Sequence, residues 1–276
     1  MMPASLMVHL IPGVSNESLL KFTADLAGRL KAKEVIGIAA AQPVHMYGEA
    51  ALYESKEILD LNRTVEDEKL AAADKRFRAA LHKNAPSVAW RSKVTYSSTA
   101  DYIAREMRAA DLLITGPDPV GVESAGSARV ADLVMEAGRP VLVVGPDTDR
   151  LDLETVVIGW KDSREARRAV ADALPLLRLA GNVKVVEIAP EANMPEARMR
   201  IEDVVYWLKR HDIAAAGQAL ASTGGDAARL DAIVRDQGAG LLVAGAYGHH
   251  RLREWALGGV TRDLLLRPLR CSFVSH

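Results

Sequence analysis

With 276 residues, 49% of them hydrophobic and 26% charged, the chain is long enough for two average domains and apolar enough to bury a core in each, which excludes a disordered protein. A formal net charge of −1 removes the global positive field that nonspecific nucleic-acid binding needs. A single cysteine, Cys271, excludes an intrachain disulfide, and no stretch reaches the roughly 18 apolar residues of a membrane span, so a cytoplasmic protein with neither membrane nor nucleic-acid partners is expected.

In chain order, the apolar patterning of the first half predicts a strand over 6–10, a helix over 15–30 and a strand over 34–40. A long helical stretch follows over 48–83, then a strand over 87–95, a helix over 99–109 and a strand over 112–115. A helix over 127–137 and a strand over 141–144 close the half. In the second half the run Thr-Val-Val-Ile-Gly-Trp over 155–160 is short and β-branched, as in a strand buried on both faces. Asp162 and Ser163 supply the chemistry of a helix start. Ala166, Ala169, Val170, Ala173, Leu174 and Leu177 repeat at helical spacing until Gly181. Strands over 183–189, 214–221, 240–244 and 271–275 alternate with helices over 195–211, 225–237 and 260–267.

Strands that alternate with helices imply parallel βαβ units with right-handed crossovers. The order is written twice. Ala-Asp-Leu-Leu-Ile-Thr-Gly over 110–116 parallels Ala-Gly-Leu-Leu-Val-Ala-Gly over 239–245, and both halves close on a short apolar strand. The expectation is an α/β protein of two tandem doubly wound domains, each with a five-stranded parallel sheet flanked by helices. A first domain over 1–147 and a second over 148–276 meet in the polar turn Gly-Pro-Asp-Thr-Asp-Arg at 145–150.

The richest local signal is Gly245-Ala-Tyr-Gly248, nine intervening residues, then Gly258-Gly259-Val260-Thr261. Glycines after a buried strand let main-chain N–H groups approach an anion, and a following helix adds unsatisfied donors and the positive end of its dipole. Glycines there also serve turns alone, so the spacing and placement together carry the phosphate reading.

That pattern resembles the nucleotide loop of the universal stress protein family. Further similarity lies in Val156-Val-Ile-Gly-Trp-Lys-Asp-Ser-Arg-Glu-Ala166, which looks like the family's first strand and turn, and in 267–276, which look like its last strand. The resemblance implies an adenine nucleotide alpha hydrolase-like fold that pairs its domains, as a homodimer or as a pseudo-dimer within one chain. It also implies a stress-response protein that binds ATP (or its relatives ADP and AMP), with Mg2+ as the accompanying ion. Carried over by position, Gly245, Gly248, Gly258, Gly259 and Val260 would line phosphates and ribose, with Thr261 in the next helical turn. Two positions depart from the pattern. Lys161 stands where the family has an acidic residue, leaving Asp162 to accept from the ribose, and Gly259 replaces a hydroxyl residue. In the first half Gly116 is followed by Pro117 and Pro119, which lack the N–H a phosphate needs, and Gly126-Ser127 comes too early; turn chemistry is the reading there.

Other signals are weaker. His249 and His250 are adjacent and point apart, unlike a metal pair. Arg251 and Arg253 suit either a triphosphate or plain exposure. Trp160 reads as core or pocket wall, Tyr206 and Trp207 as helix packing, and 74–78 as a solvated helix face. No catalytic motif appears, so catalytic residues are not assigned. The rivals to a nucleotide-responsive regulatory module are a universal stress protein acting through protein partners without nucleotide, and, behind it, a slow ATPase.

Overall fold

The computed structural model describes residues 3–43, 55–119, 126–246 and 270–276. The first half contains β1 (Ser5–His9), α1 (Glu17–Leu30), β2 (Glu34–Ala41), α2 (Lys56–Leu81), β3 (Ser87–Val94), α3 (Thr99–Glu106), β4 (Leu112–Thr115), α4 (Val130–Glu136) and β5 (Val141–Val143). The second contains β6 (Thr155–Trp160), α5 (Arg164–Leu177), β7 (Asn182–Ala189), α6 (Met194–Lys209), β8 (Ala215–Ala221), α7 (Asp226–Asp236), β9 (Leu241–Gly245) and β10 (Cys271–Ser275).

Local chemistry sets the boundaries. Ser55, Ser98 and Ser163 each accept a main-chain N–H in the first turn of the helix they precede, satisfying a donor with no partner inside the helix. α1 stops at Lys31, which turns left-handed with φ 52° and returns its N–H to Ala27 and Gly28. The predicted helix over 127–137 contracts to Val130–Glu136. Its start is set from a distance: the Asp118 carboxylate takes the Val130 N–H at 2.7 Å. The predicted stretch from 48 begins, among the described residues, at Lys56, and the predicted helix over 260–267 lies outside them.

The described strands form one ten-stranded sheet in the order β3-β2-β1-β4-β5-β10-β9-β6-β7-β8. Each half contributes five parallel strands in the same relative order, and the two fifth strands meet antiparallel, with Phe273 opposite Leu142. The expectation of two sheets is thereby refined. The halves share one sheet, related as by a two-fold axis through the β5–β10 seam. On the face covered by α1, α2, α5 and α6, a single buried cluster runs through both halves, from Phe22 and Phe77 through Leu142, Leu153 and Phe273 to Val170 and Leu208. The opposite face holds separate clusters, one under α3 and α4 and one under α7. β1, β2, β4 and β9 are apolar on both faces, as parallel strands buried between helical layers must be.

Candidate nucleotide cleft at the second switch point

In each half the first and fourth strands lie side by side while their connections leave toward opposite edges. Their carboxyl ends therefore open a crevice, where ligands sit in doubly wound sheets. In the second half these strands are β6 and β9, in register from Val156 opposite Leu241 to Gly159 opposite Ala244.

Past Trp160 the chain turns sharply. The Ser163 N–H donates to the Lys161 carbonyl at 2.7 Å, and the Ser163 hydroxyl accepts from Ala166 N–H at 3.2 Å, starting α5. The first turn of α5 lies directly on the end of β9. A Cβ on Gly245 would stand 2.6 Å from the Glu165 carbonyl carbon and 2.8 Å from Ala166 Cα, so only glycine permits this contact. The first glycine of the loop thus serves helix–strand packing, which brings the amino end of α5 to the crevice.

Lys161 and Asp162 are exposed at the mouth, and the Asp162 carboxylate pairs with Arg167 at 2.5 Å. Glu165 is buried. Burial pushes its carboxyl up, but its own N–H, the Ser163 hydroxyl and Arg164 outweigh that and hold it below the usual range. Its Oε2 has no hydrogen-bond partner among the described residues, and neither has the Trp160 indole N–H. Trp160 is half-buried against the main core, and opposite it on β7 stands Glu187, buried and held by both Nε and a terminal nitrogen of Arg200 at 2.5–3.3 Å.

Of the residues singled out from sequence, Gly245 and Asp162 are thus brought to one mouth. Gly248, Gly258, Gly259, Val260 and Thr261 lie outside the described residues, as do His249, His250, Arg251 and Arg253. Among the described residues no cluster of three histidine, cysteine or acidic side chains could hold a metal ion. Cys271 is buried, and burial pushes its thiol up to about 11, against the Gly145 main chain. It is a packing residue.

The first half builds the same crevice differently. His9 ends β1 and faces Thr115 at the end of β4; its Nδ1 lies 3.0 Å from the Thr115 hydroxyl, and both are buried. Beyond β4, Asp118, between Pro117 and Pro119, presents its carboxylate to the amino end of α4. Burial pushes the Asp118 carboxyl up, opposed by Val130 N–H and Arg129. The helix end that could receive an anion already holds one of the protein's own. Sequence reasoning missed His9, Asp118 and the Glu187–Arg200 pair. His9 did leave a signal, an isolated polar residue in an apolar run.

Tyr206 is exposed beneath the Arg210 guanidinium, 5.2 Å from its ring centroid, while Trp207 packs against the core and His211. In the 74–78 segment Phe77 is fully buried, and the half-buried Asp74 pairs with the exposed Arg78.

No protein-family model matches the chain, and no curated protein matches it. Solved structures do. A universal stress protein from Archaeoglobus fulgidus DSM 4304 superposes with a TM-score of 0.72 at 12% identity, covering 98% of this chain and 95% of its own. A putative universal stress protein from Pseudomonas aeruginosa UCBPP-PA14 gives 0.63 at 16%, covering 99% and 93%. The cytoplasmic domain of a prokaryotic cation chloride cotransporter gives 0.52 at 14%, covering 99% and 95%. Along nearly its whole length, then, this chain has the fold of solved universal stress proteins, an α/β architecture that a transporter's cytoplasmic domain also uses.

Proposed function

We propose that the chain is a universal-stress-type regulatory module whose second half binds an adenine nucleotide, ATP in the first instance. One observation carries the reading: the glycine-rich segment that begins at Gly245 leaves β9 at the β6–β9 switch point, against the amino end of α5. The main-chain amides of Gly248, Gly258 and Gly259 would meet the phosphates, and Val260 and Thr261 would follow at the next helical turn. Asp162 would accept from a ribose hydroxyl, and Lys161 beside it would offset phosphate charge. Mg2+, if it accompanies the triphosphate, would be held by the nucleotide's own oxygens. The first half, with Asp118 across the matching helix end, is the non-binding partner. Domains over 1–147 and 148–276 are part of this proposal.

A route from ligand to the rest of the molecule is at hand. Ala246, next to Gly245, is buried in the same cluster as Met7, Ile36 and Val143 of the first half. A nucleotide that orders the loop differently in two arrangements would shift their populations by its differential affinity.

Calorimetric titration of the whole protein with ATP, ADP and AMP tests the proposal. Saturable binding by wild type that disappears in Gly248→Val and persists in Asp118→Ala is expected. Absence of saturable binding at millimolar nucleotide would remove it and leave a partner-binding protein of the same fold. Protein-dependent phosphate release that vanishes in Gly258→Val would instead make the module a slow ATPase.

A further inference from the structure

The ten-stranded sheet ends in two edges of different chemistry. β3 carries Arg91 and Lys93; Arg91 pairs with Glu106 at 2.5 Å, and the Lys93 ammonium lies 5.7 Å from the Tyr102 ring centroid. Charge on an edge strand is one of the devices by which proteins prevent strand addition. β8 lacks charge, proline and bulge. Its sequence, Ala-Ala-Gly-Gln-Ala-Leu-Ala, contains no charge and no proline, and its pairing with β7 runs unbroken from Ala215 to Ala221 with no bulge. α6 packs on one face of β8, where a Cβ on Gly217 would overlap Ile201. Ala216, Gly217 and Gln218 nonetheless remain exposed, and no described strand pairs with the outer edge.

We propose that β8 is a self-association edge, which pairs antiparallel with β8 of a second copy of this chain across a two-fold axis and carries the sheet through both molecules. Three observations select that occupant. The other edge of the chain, β3, is charged, so head-to-tail addition of β3 to β8 is opposed, whereas β8 meeting β8 brings no charges together within the strands. The flanks favour the antiparallel sense: Lys209, Arg210 and Asp212 precede β8 with a net positive charge and Asp226 follows it, so an antiparallel pair sets each net-basic flank near the other copy's Asp226. A parallel pair would set like against like. Lastly, the chain already joins two parallel sheets edge to edge in the antiparallel sense at β5–β10. A two-fold pairing of this kind closes on itself and does not propagate.

Sedimentation equilibrium of the intact protein across the micromolar range tests this. Wild type is expected to approach twice the 29.8 kDa of one chain. Gln218→Lys and Gln218→Glu, each of which sets like charges across the axis, are expected to sediment as single chains. An equimolar mixture of the two variants is expected to recover the doubled mass. Far-UV circular dichroism verifies that each variant is folded; where either is not, Ala216→Lys, which puts a charge on the same edge and is expected to sediment as a single chain, takes the place of that variant and of the mixture. A wild type that stays single at every concentration, a folded variant that stays double, or a mixture that stays single would each overturn the proposal.

Discussion

His9 shows how one residue at a strand end couples the fold to pH. Thr115 gives its hydroxyl proton to the Gly116 carbonyl at 3.2 Å, so the imidazole donates from Nδ1 to the hydroxyl oxygen. Burial lowers its pKa from 6.5 to about 4. The unfolded chain therefore binds a proton that the folded chain refuses between those values. Stability is full above pH 6.5 and falls as pH drops through the window, by about 3 kcal/mol in total from this group. Urea unfolding of wild type and His9→Gln at neutral pH and near pH 4 should show the wild-type loss shrinking in the variant by about that amount; equal losses would contradict the assignment. Asp118 acts through geometry. Asp118→Ala removes the acceptor for Val130 N–H and should cost about 1 kcal/mol by the same measurement, whereas Asp118→Asn, which keeps an acceptor, should cost less.

At the scale of elements, the decisive contact is α5 on β9. Gly245→Ala would force a methyl into the main chain of Glu165 and Ala166, and overpacking of this kind costs about 1–3 kcal/mol. The same change should weaken nucleotide binding by tilting the amino end of α5 away from the crevice. Gly116, its counterpart after β4, has nothing within 4 Å of an added Cβ, so Gly116→Ala should be close to neutral. Thermal melts of the two variants side by side test this. Similar shifts would mean that the helix does not rest on β9 as described.

For the molecule as a whole, the β5–β10 seam and the buried cluster that crosses it predict joint unfolding. Calorimetry should give one transition with matching calorimetric and van't Hoff enthalpies. Phe273, fully buried opposite Leu142, belongs to that shared cluster. Phe273→Ala should destabilise by about 3–5 kcal/mol and lower the single transition without splitting it. Two separate transitions in wild type would show the halves to be energetically independent.

Much of this architecture could be read from residue order. Runs such as Leu-Leu-Val over 241–243, set between glycines, read as strands covered on both sides, and helical spacing over 166–177 marks the face of α5 that meets the sheet. These are local properties, set by side-chain period and by capping groups within a few residues. The glycine spacing after β9, and the prolines that spoil its counterpart after β4, were equally visible. What escaped depends on contacts distant in the chain. Nothing near Val141 says that its strand will meet Phe273 antiparallel, nothing near Asp118 says that its carboxylate will begin a helix twelve residues later, and Gly245 looks the same whether it faces a phosphate or a helix. The sequence by itself determined the alternation of elements, their duplication and the place of the glycine-rich segment. Only the tertiary structure decided that the halves share one sheet, which crevice is capped by the protein's own carboxylate, and which strands end the sheet, because each depends on which surfaces meet once the chain has closed.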